Sequence, residues 1–386
     1  MVQSLNWGPK ARSLADSLRE SGDIRSQRVY EAVAATPRHA FVPKYFQNTG
    51  GVPTLWRERA EGDGIEWMEP IYTNASLVTE LGAGERVEGG WHGVPTSSST
   101  QPSLTVRMLE DLGIEPDDDV LDAGLGTGYQ AALILKLVNE QSQLVASDIS
   151  GTEAAGERLD ELGHLPTIIE ADATSSRWPK QFNKIIFSFG LPYVTDSVRR
   201  ALAPGGKLIA NVFGPLSAGL VLLEAQPDGT LTGRFTKDGG SFMPARRDAK
   251  PVGADLSEHS DGVSAIPIED FDNYHLKFLL SARLPGLDLQ YGTEDGRRTR
   301  RLTMPNGHWG EVTYRDGGDG SDIRGTYQDH GQGFWEVVEM MWCWWIANSK
   351  PTWDQFGLTV GPDGQHTLWH QSPHGDFWNV PTAHLG

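Results

Sequence analysis

Two spacings of apolar residues divide this chain of 386 residues. Between Arg12 and Phe46 the positions Leu14, Leu18, Val29, Val33 and Phe41 follow helical periodicity, and Pro37 and Pro43 act as stops. Short helices followed by a turn-rich stretch are expected there. Residues 50–99, rich in Gly, Pro and Trp, predict short strands and loops. Leu104, Met108, Leu109 and Leu112 share one face of a helix that starts near Pro102. From there strand patterns at 119–122, 143–148, 167–170, 184–188 and 207–212 alternate with helical patterns at 129–138, 153–162 and 196–202. Several of these strands are apolar on both faces. The pattern therefore predicts an α/β fold with a mostly parallel, doubly wound sheet covered by helices.

The alternation stops after residue 212. Residues 219–235 read as a hairpin turning on Pro227, Asp228 and Gly229, and the polar stretch 248–273 reads as a linker or surface loop. Beyond it lie eight of the 13 tryptophans, hairpins expected around 304–309 and 360–365, and one very apolar helix from Phe334 to Ile346. This is a third region, of α+β type, so the expected divisions are 1–95, 96–247 and 248–386. A helix that apolar has to be buried, and Cys343 within it reads as a small buried hydrophobe. Trp309, Trp353, Trp369 and Trp378 stand near turns and are more open to peptide contact.

The sharpest chemical signal is Val120 to Tyr129, a strand running through Asp122 into a glycine-rich turn and then a helix. Gly124, Gly126 and Gly128 let the backbone turn tightly and lie against a ligand, with Leu125 and Thr127 between them, while the helix start offers free N–H groups to an anionic end. Asp148, followed by Ile149, ends the next strand, where a carboxylate can accept both hydroxyl protons of a ribose. Asp172, followed by Ala173, ends the one after and is placed for an adenine edge. A nicotinamide cofactor would share much of this pattern. The loop, the two acidic residues and Leu202 to Ala210, a glycine turn into another strand, together resemble the landmarks of the class I, Rossmann-like methyltransferases. That resemblance implies S-adenosylmethionine as cofactor and S-adenosylhomocysteine as product.

Upstream, Val29 to Val33, Thr36 to Pro43 and Thr100-Gln101-Pro102 look like the signatures of the protein isoaspartate O-methyltransferases, as do Gly124 to Leu133 and Phe242-Met243-Pro244. In that family a hydroxyl residue before the Gln-Pro or Ala-Pro pair touches the substrate carboxylate and the reactive methyl, and Thr100 holds that place. The resemblance implies catalytic roles for Thr100 and Ser99 and substrate contacts for Thr100, Gln101, Phe189 and Gly190. Ser103 and Tyr72 to Leu77 depart from the family pattern. A peptide carboxylate, with a pKa of about 4, is already an anion at neutral pH, so no general base is needed; alignment and exclusion of water suffice. The added region after 248 resembles that of family members that methylate an aspartate of a cyclised ribosomal peptide, the lanthipeptide, lasso-peptide and graspetide enzymes, where the ester closes to an aspartimide. Repair of isoaspartyl residues is the alternative. Either implies a peptide or protein partner carrying Asp or isoAsp.

Charge narrows the partners. The net charge of −18 argues against nucleic acid and anionic membrane. Residues 1–60, however, carry nine basic groups against five acidic ones, which marks either a lobe open to acidic substrates or a solvated helix face. No signal-peptide core and no run of ~18 apolar residues is present, so a cytoplasmic location is expected. His366, His370, His374 and Asp376 follow a hairpin turn and not a helix face, so no metal site is expected of them.

Overall fold

Ala11, Leu14, Ala15 and Leu18 fall on one face of helix α1 (Trp7–Glu20), and Val29, Ala32 and Val33 on one face of α2 (Gln27–Ala34), which packs against it. Ser26 caps α2 by accepting from Val29 N–H, and the helical periodicity of the sequence is met. The computed structural model describes residues 6–214, 216–245, 260–314, 325–330 and 333–382. Its chain divides into two units, Met1–Ser188 with Asp196–Ile209, and Phe189–Thr195 with Ala210–Gly386.

In the first unit, the Gly- and Trp-rich stretch is a closed barrel of strands β1 (Lys44–Asn48), β2 (Trp56–Ala60), β3 (Leu77–Val87) and β4 (Gly90–Ser99), in the order β1-β2-β4-β3. Helix α3 (Ile65–Ile71) buries Trp67, Met68 and Ile71. Next comes α4 (Pro102–Leu112), with Pro102 in its first turn and Gly113 at φ +60° beyond its end. The alternating part follows: β5 (Val120–Ala123), α5 (Tyr129–Leu135), β6 (Leu144–Asp148), α6 (Thr152–Asp160), β7 (Thr167–Glu170), β8 (Phe182–Leu191), α7 (Asp196–Ala201) and β9 (Leu202–Val212). Here the strand order is β9-β8-β5-β6-β7, and β8, β5, β6 and β7 pair in parallel. The chain builds outward from β5 to β7 and then returns to add β8 on the other side. Such a reversal opens a crevice at the carboxyl ends of β5 and β8, where ligands bind in open α/β sheets.

The second unit contains β10 (Gly219–Ala225) and β11 (Leu231–Phe235), the hairpin that the turn residues predict. Beyond it are β12 (Ser260–Ser264), α8 (Ile268–Phe271), α9 (Tyr274–Arg283), β13 (Asp288–Glu294), β14 (Arg297–Thr303), β15 (Trp309–Tyr314), β16 (Gly325–His330), α10 (Phe334–Ala347), β17 (Phe356–Val360), β18 (His366–His370) and β19 (Phe377–Val380). One sheet has the order β19-β18-β17-β11-β10 in this unit, and an antiparallel five-stranded sheet runs β12-β16-β15-β14-β13. Gly233 and Gly357 let β11 and β17 close up: a Cβ on Gly357 would stand 2.1 Å from the Trp369 ring.

Three expectations are corrected. The polar stretch 248–273 is not loop throughout, because β12 and α8 lie within it; its residues 248–259 fall outside the described ones. Cys343 is exposed. Helix α10 buries Phe334, Trp335, Val338, Met341 and Trp345 along one stripe, which leaves Cys343, Met340 and Ile346 facing outward. Of the turn-flanking tryptophans, Trp309 and Trp369 are buried, since both point inward from strands that start or end close to their turns.

Candidate active site

Backbone conformation shapes the glycine turn. Gly124, Gly126 and Gly128 take φ of +96°, +51° and +94°, values that side-chain-bearing residues rarely adopt. Gly124 and Leu125 N–H groups donate to Ser147 O at 2.8 and 2.9 Å, so the turn is tied to the end of β6. Asp148 completes the link: its Oδ2 accepts from Gly126 N–H (2.9 Å) and its Oδ1 from Ile149 N–H (2.8 Å). Each carboxylate oxygen keeps a second lone pair for a hydroxyl group. Ile149 itself is exposed, and Thr127 and Leu125 are buried.

Asp122 is buried beneath the turn. Its Oδ1 accepts from Gln130 Nε2 at 2.6 Å, and Gln130 also donates to Ser188 Oγ at 2.8 Å. Its Oδ2 is buried without a partner among the described residues, and burial pushes the carboxyl up to about 7 despite the Gln130 hydrogen bond. An orphaned carboxyl oxygen and a turn free of side chains fit a polar, partly cationic cofactor end. Asp172 caps its own turn, accepting from Thr174 N–H and Oγ1 at 2.8 and 2.7 Å and from Ser175 Oγ at 3.1 Å; Ala173 beside it is buried.

The hydroxyl run approaches this turn. A Cβ on Gly126 would stand 4.0 Å from Ser98 O, two residues before Thr100. Thr100 is half-buried, Ser99 is buried and Gln101 is exposed. What fixes them is Arg38, which the sequence shows only as part of a signature. Its guanidinium, fully buried, donates through Nη1 to Ile71 O and Thr73 O (2.7 and 3.2 Å) and through Nη2 to Ala75 O, Ser99 O, Ser99 Oγ and Thr100 O (3.1 to 3.4 Å). It also lies 5.7 Å from the Tyr129 ring, at the start of α5. Burial lowers its pKa to about 10, so it stays charged at neutral pH.

The two positions that depart from the family pattern meet each other. Asn74 Oδ1 accepts from Ser103 N–H at 2.9 Å, capping the first turn of α4 directly after Thr100. Sequence reading had no signal for this pair, whose members stand 29 residues apart. Phe189 and Gly190 belong to the second unit, where Gly190 N–H donates to Met243 O (2.8 Å) and its carbonyl accepts from Ala245 N–H (2.9 Å). Just beyond, His366 Nε2 accepts from Val194 N–H at 3.1 Å while Nδ1 faces Gly364 O at 2.9 Å; burial holds its pKa low, as a neutral acceptor requires. The basic excess of residues 1–60 is largely matched locally: Lys10 pairs with Glu69, Arg25 with Asp111 (2.5 Å), Arg28 with Glu115 (3.5 Å) and Arg59 with Glu66 (2.5 Å).

A parallel sheet that reverses its strand addition at β5, with such a turn at the carboxyl end of that strand, is the construction of the Rossmann-like methyltransferases that use S-adenosylmethionine. Residues 87–244 match the model of the family described as protein-L-isoaspartate(D-aspartate) O-methyltransferase. The protein-L-isoaspartate O-methyltransferase of Methanopyrus kandleri is 28% identical over 237 residues, 60% of this chain and 88% of its own. That of Aeropyrum pernix is 27% identical over 226 residues, 57% of this chain and 74% of its own. A solved structure titled protein-L-isoaspartate O-methyltransferase, 17% identical, covers 94% of this chain and 100% of its own with a TM-score of 0.53. The similarity to this family over residues 87–244 and to these relatives indicates an S-adenosylmethionine-dependent carboxyl O-methyltransferase.

Proposed function

We propose that the chain methylates the side-chain carboxylate of an aspartyl residue in a cyclised ribosomal peptide. The observation that carries the catalytic part is the Arg38 clamp, which holds Ser99 and Thr100 by their main chain beside the glycine turn. When bound, S-adenosylmethionine supplies a sulfonium methyl group, which passes to a carboxylate oxygen as the S–C bond breaks and S-adenosylhomocysteine forms. Gly124 to Gly128 cradle its amino-acid end, with Asp122 below; Asp148 and Ile149 take the ribose, and Asp172 and Ala173 the adenine. Thr100, with Ser99 and Gln101, orients the acceptor carboxylate, and Phe189 and Gly190 contribute to the substrate contacts. No proton has to move, so orientation and removal of water supply the rate. The divisions 1–95, 96–247 and 248–386 then separate an acceptor-side region, a cofactor core and a recognition region.

Two features favour a cyclised acceptor: the Asn74–Ser103 pair rebuilds the segment that approaches the carboxylate, and the second unit adds a sheet and an aromatic helix. Isoaspartyl repair is supported by the relatives' names and by the solved structure, whose likeness over 94% of this chain means that the added fold is not by itself a mark of peptide tailoring. The test is incubation with labelled cofactor and two substrates, a linear isoaspartyl peptide and a cyclised aspartate-containing peptide. Ester or its dehydration product on the cyclic peptide alone is expected. Turnover of the linear peptide alone establishes repair, and turnover of neither removes both readings.

A further inference from the structure

Among the described residues of the second unit, one buried cation makes no ion pair. Lys277, on α9, is 6% exposed, and its ammonium donates to Tyr291 Oη at 2.7 Å. It lies 5.1 Å from the Tyr274 ring centroid and 5.5 Å from that of Tyr291. Among the described residues it makes no ion pair, whereas the neighbouring Arg300, 4.5 Å from the Tyr291 ring, is held by Asp272 at 2.9 Å. An ammonium has three donors, and burying one without a carboxylate is costly unless something answers it. Tyr274 and Tyr291, on either side, are 66% and 58% exposed. The two rings that flank the ammonium therefore face solvent.

Tyr291 lies in β13, the end strand of the five-stranded sheet, which among the described residues pairs only with β14. Its register with β14 is unbroken from Asp288 to Glu294, with no bulge to twist the edge away. Six of its seven residues are exposed. It has neither Lys nor Pro to block pairing, and its acidic residues sit only at its two ends, Asp288 and Glu294. An extended peptide can therefore add a strand here through its main chain, and a side chain at its centre meets Lys277.

We propose that this edge is a docking site for an acidic peptide segment, paired to β13 and anchored by one of its carboxylates on Lys277 between the two tyrosines. None of these residues is among those proposed for methyl transfer, so occupancy of the site is read by binding and not by turnover. The probe is a fluorescein-labelled, end-blocked octapeptide of alternating Val and Glu, compared with its Val/Gln counterpart on the full chain by fluorescence anisotropy. The Glu peptide is expected to bind at least tenfold more tightly than the Gln peptide. Lys277→Met is expected to remove that difference and Lys277→Arg to keep most of it. Amide hydrogen exchange of 288–294 is expected to slow with the Glu peptide bound. Equal binding of the two peptides, unchanged binding by Lys277→Met, or protection confined to other segments would each overturn the proposal. Should Lys277→Met not fold, the comparison of peptides and the exchange map on the wild-type chain decide alone.

Discussion

Arg38 ties three segments together through carbonyl oxygens and the Ser99 hydroxyl, with no carboxylate among its partners in the described residues. Removing it leaves several buried carbonyl groups unanswered, and Arg38→Met is expected to lower stability by about 3 kcal/mol in urea unfolding. Ester formation by the folded fraction should fall at least tenfold while affinity for S-adenosylhomocysteine changes little. A purely structural residue would lower both together. Lysine cannot reproduce the fork, so Arg38→Lys should not rescue turnover. Asp122 makes a prediction of opposite sign. Its carboxyl titrates near 7 in the folded chain and near 3.8 when free, so folding is penalised progressively as pH rises between those values. Asp122→Asn should therefore stabilise the protein at pH 8, by on the order of a few kcal/mol, and much less at pH 5. A gain that does not grow with pH would refute this account.

At the scale of elements, local pattern and long-range pairing contributed differently. The alternating strands and helices between 120 and 212 were legible because each carries its own period and its own glycine or acidic end. The barrel of β1 to β4 was not, since closure depends on pairs such as Phe46 with Val78 and Trp56 with Trp91 that no local period reports. Nor was β17 beside β11, where Thr232 meets Thr359. That join is tight. Gly357→Ala would drive a Cβ into Trp369 and is expected to destabilise by 3 kcal/mol or more, on the order of a severe overpacking change, read as a lower thermal midpoint. Helix α10 shows the limit of composition: an apolar sequence fixed its type, but only its neighbours decided which stripe is covered. Cys343 should accordingly react with a thiol reagent in the native protein at a rate close to that in denaturant.

For the whole molecule, stability should follow pH through its histidines. His39, His164, His275, His366 and His370 are all held below the ordinary value of 6.5, each chiefly by burial. Below that value the unfolded chain takes up protons that the folded one refuses, so the histidines' contribution to stability falls as pH drops from about 7 toward 5, opposite in sign to that of Asp122. His366→Gln should flatten part of that slope; an unchanged slope would mean that the ring is not the neutral acceptor for Val194. Composition and periodicity by themselves determined the α/β core and the glycine turn with its acidic neighbours, because these are encoded within single elements and the turns between them, whereas Thr100 was singled out only by the family resemblance. Tertiary structure decided what holds Thr100, how Asn74 meets Ser103, which face of α10 is covered and that Lys277 makes no ion pair among the described residues. Each of those depends on groups far apart in the chain and on the loss of water between them, and neither quantity is written in a local stretch of residues.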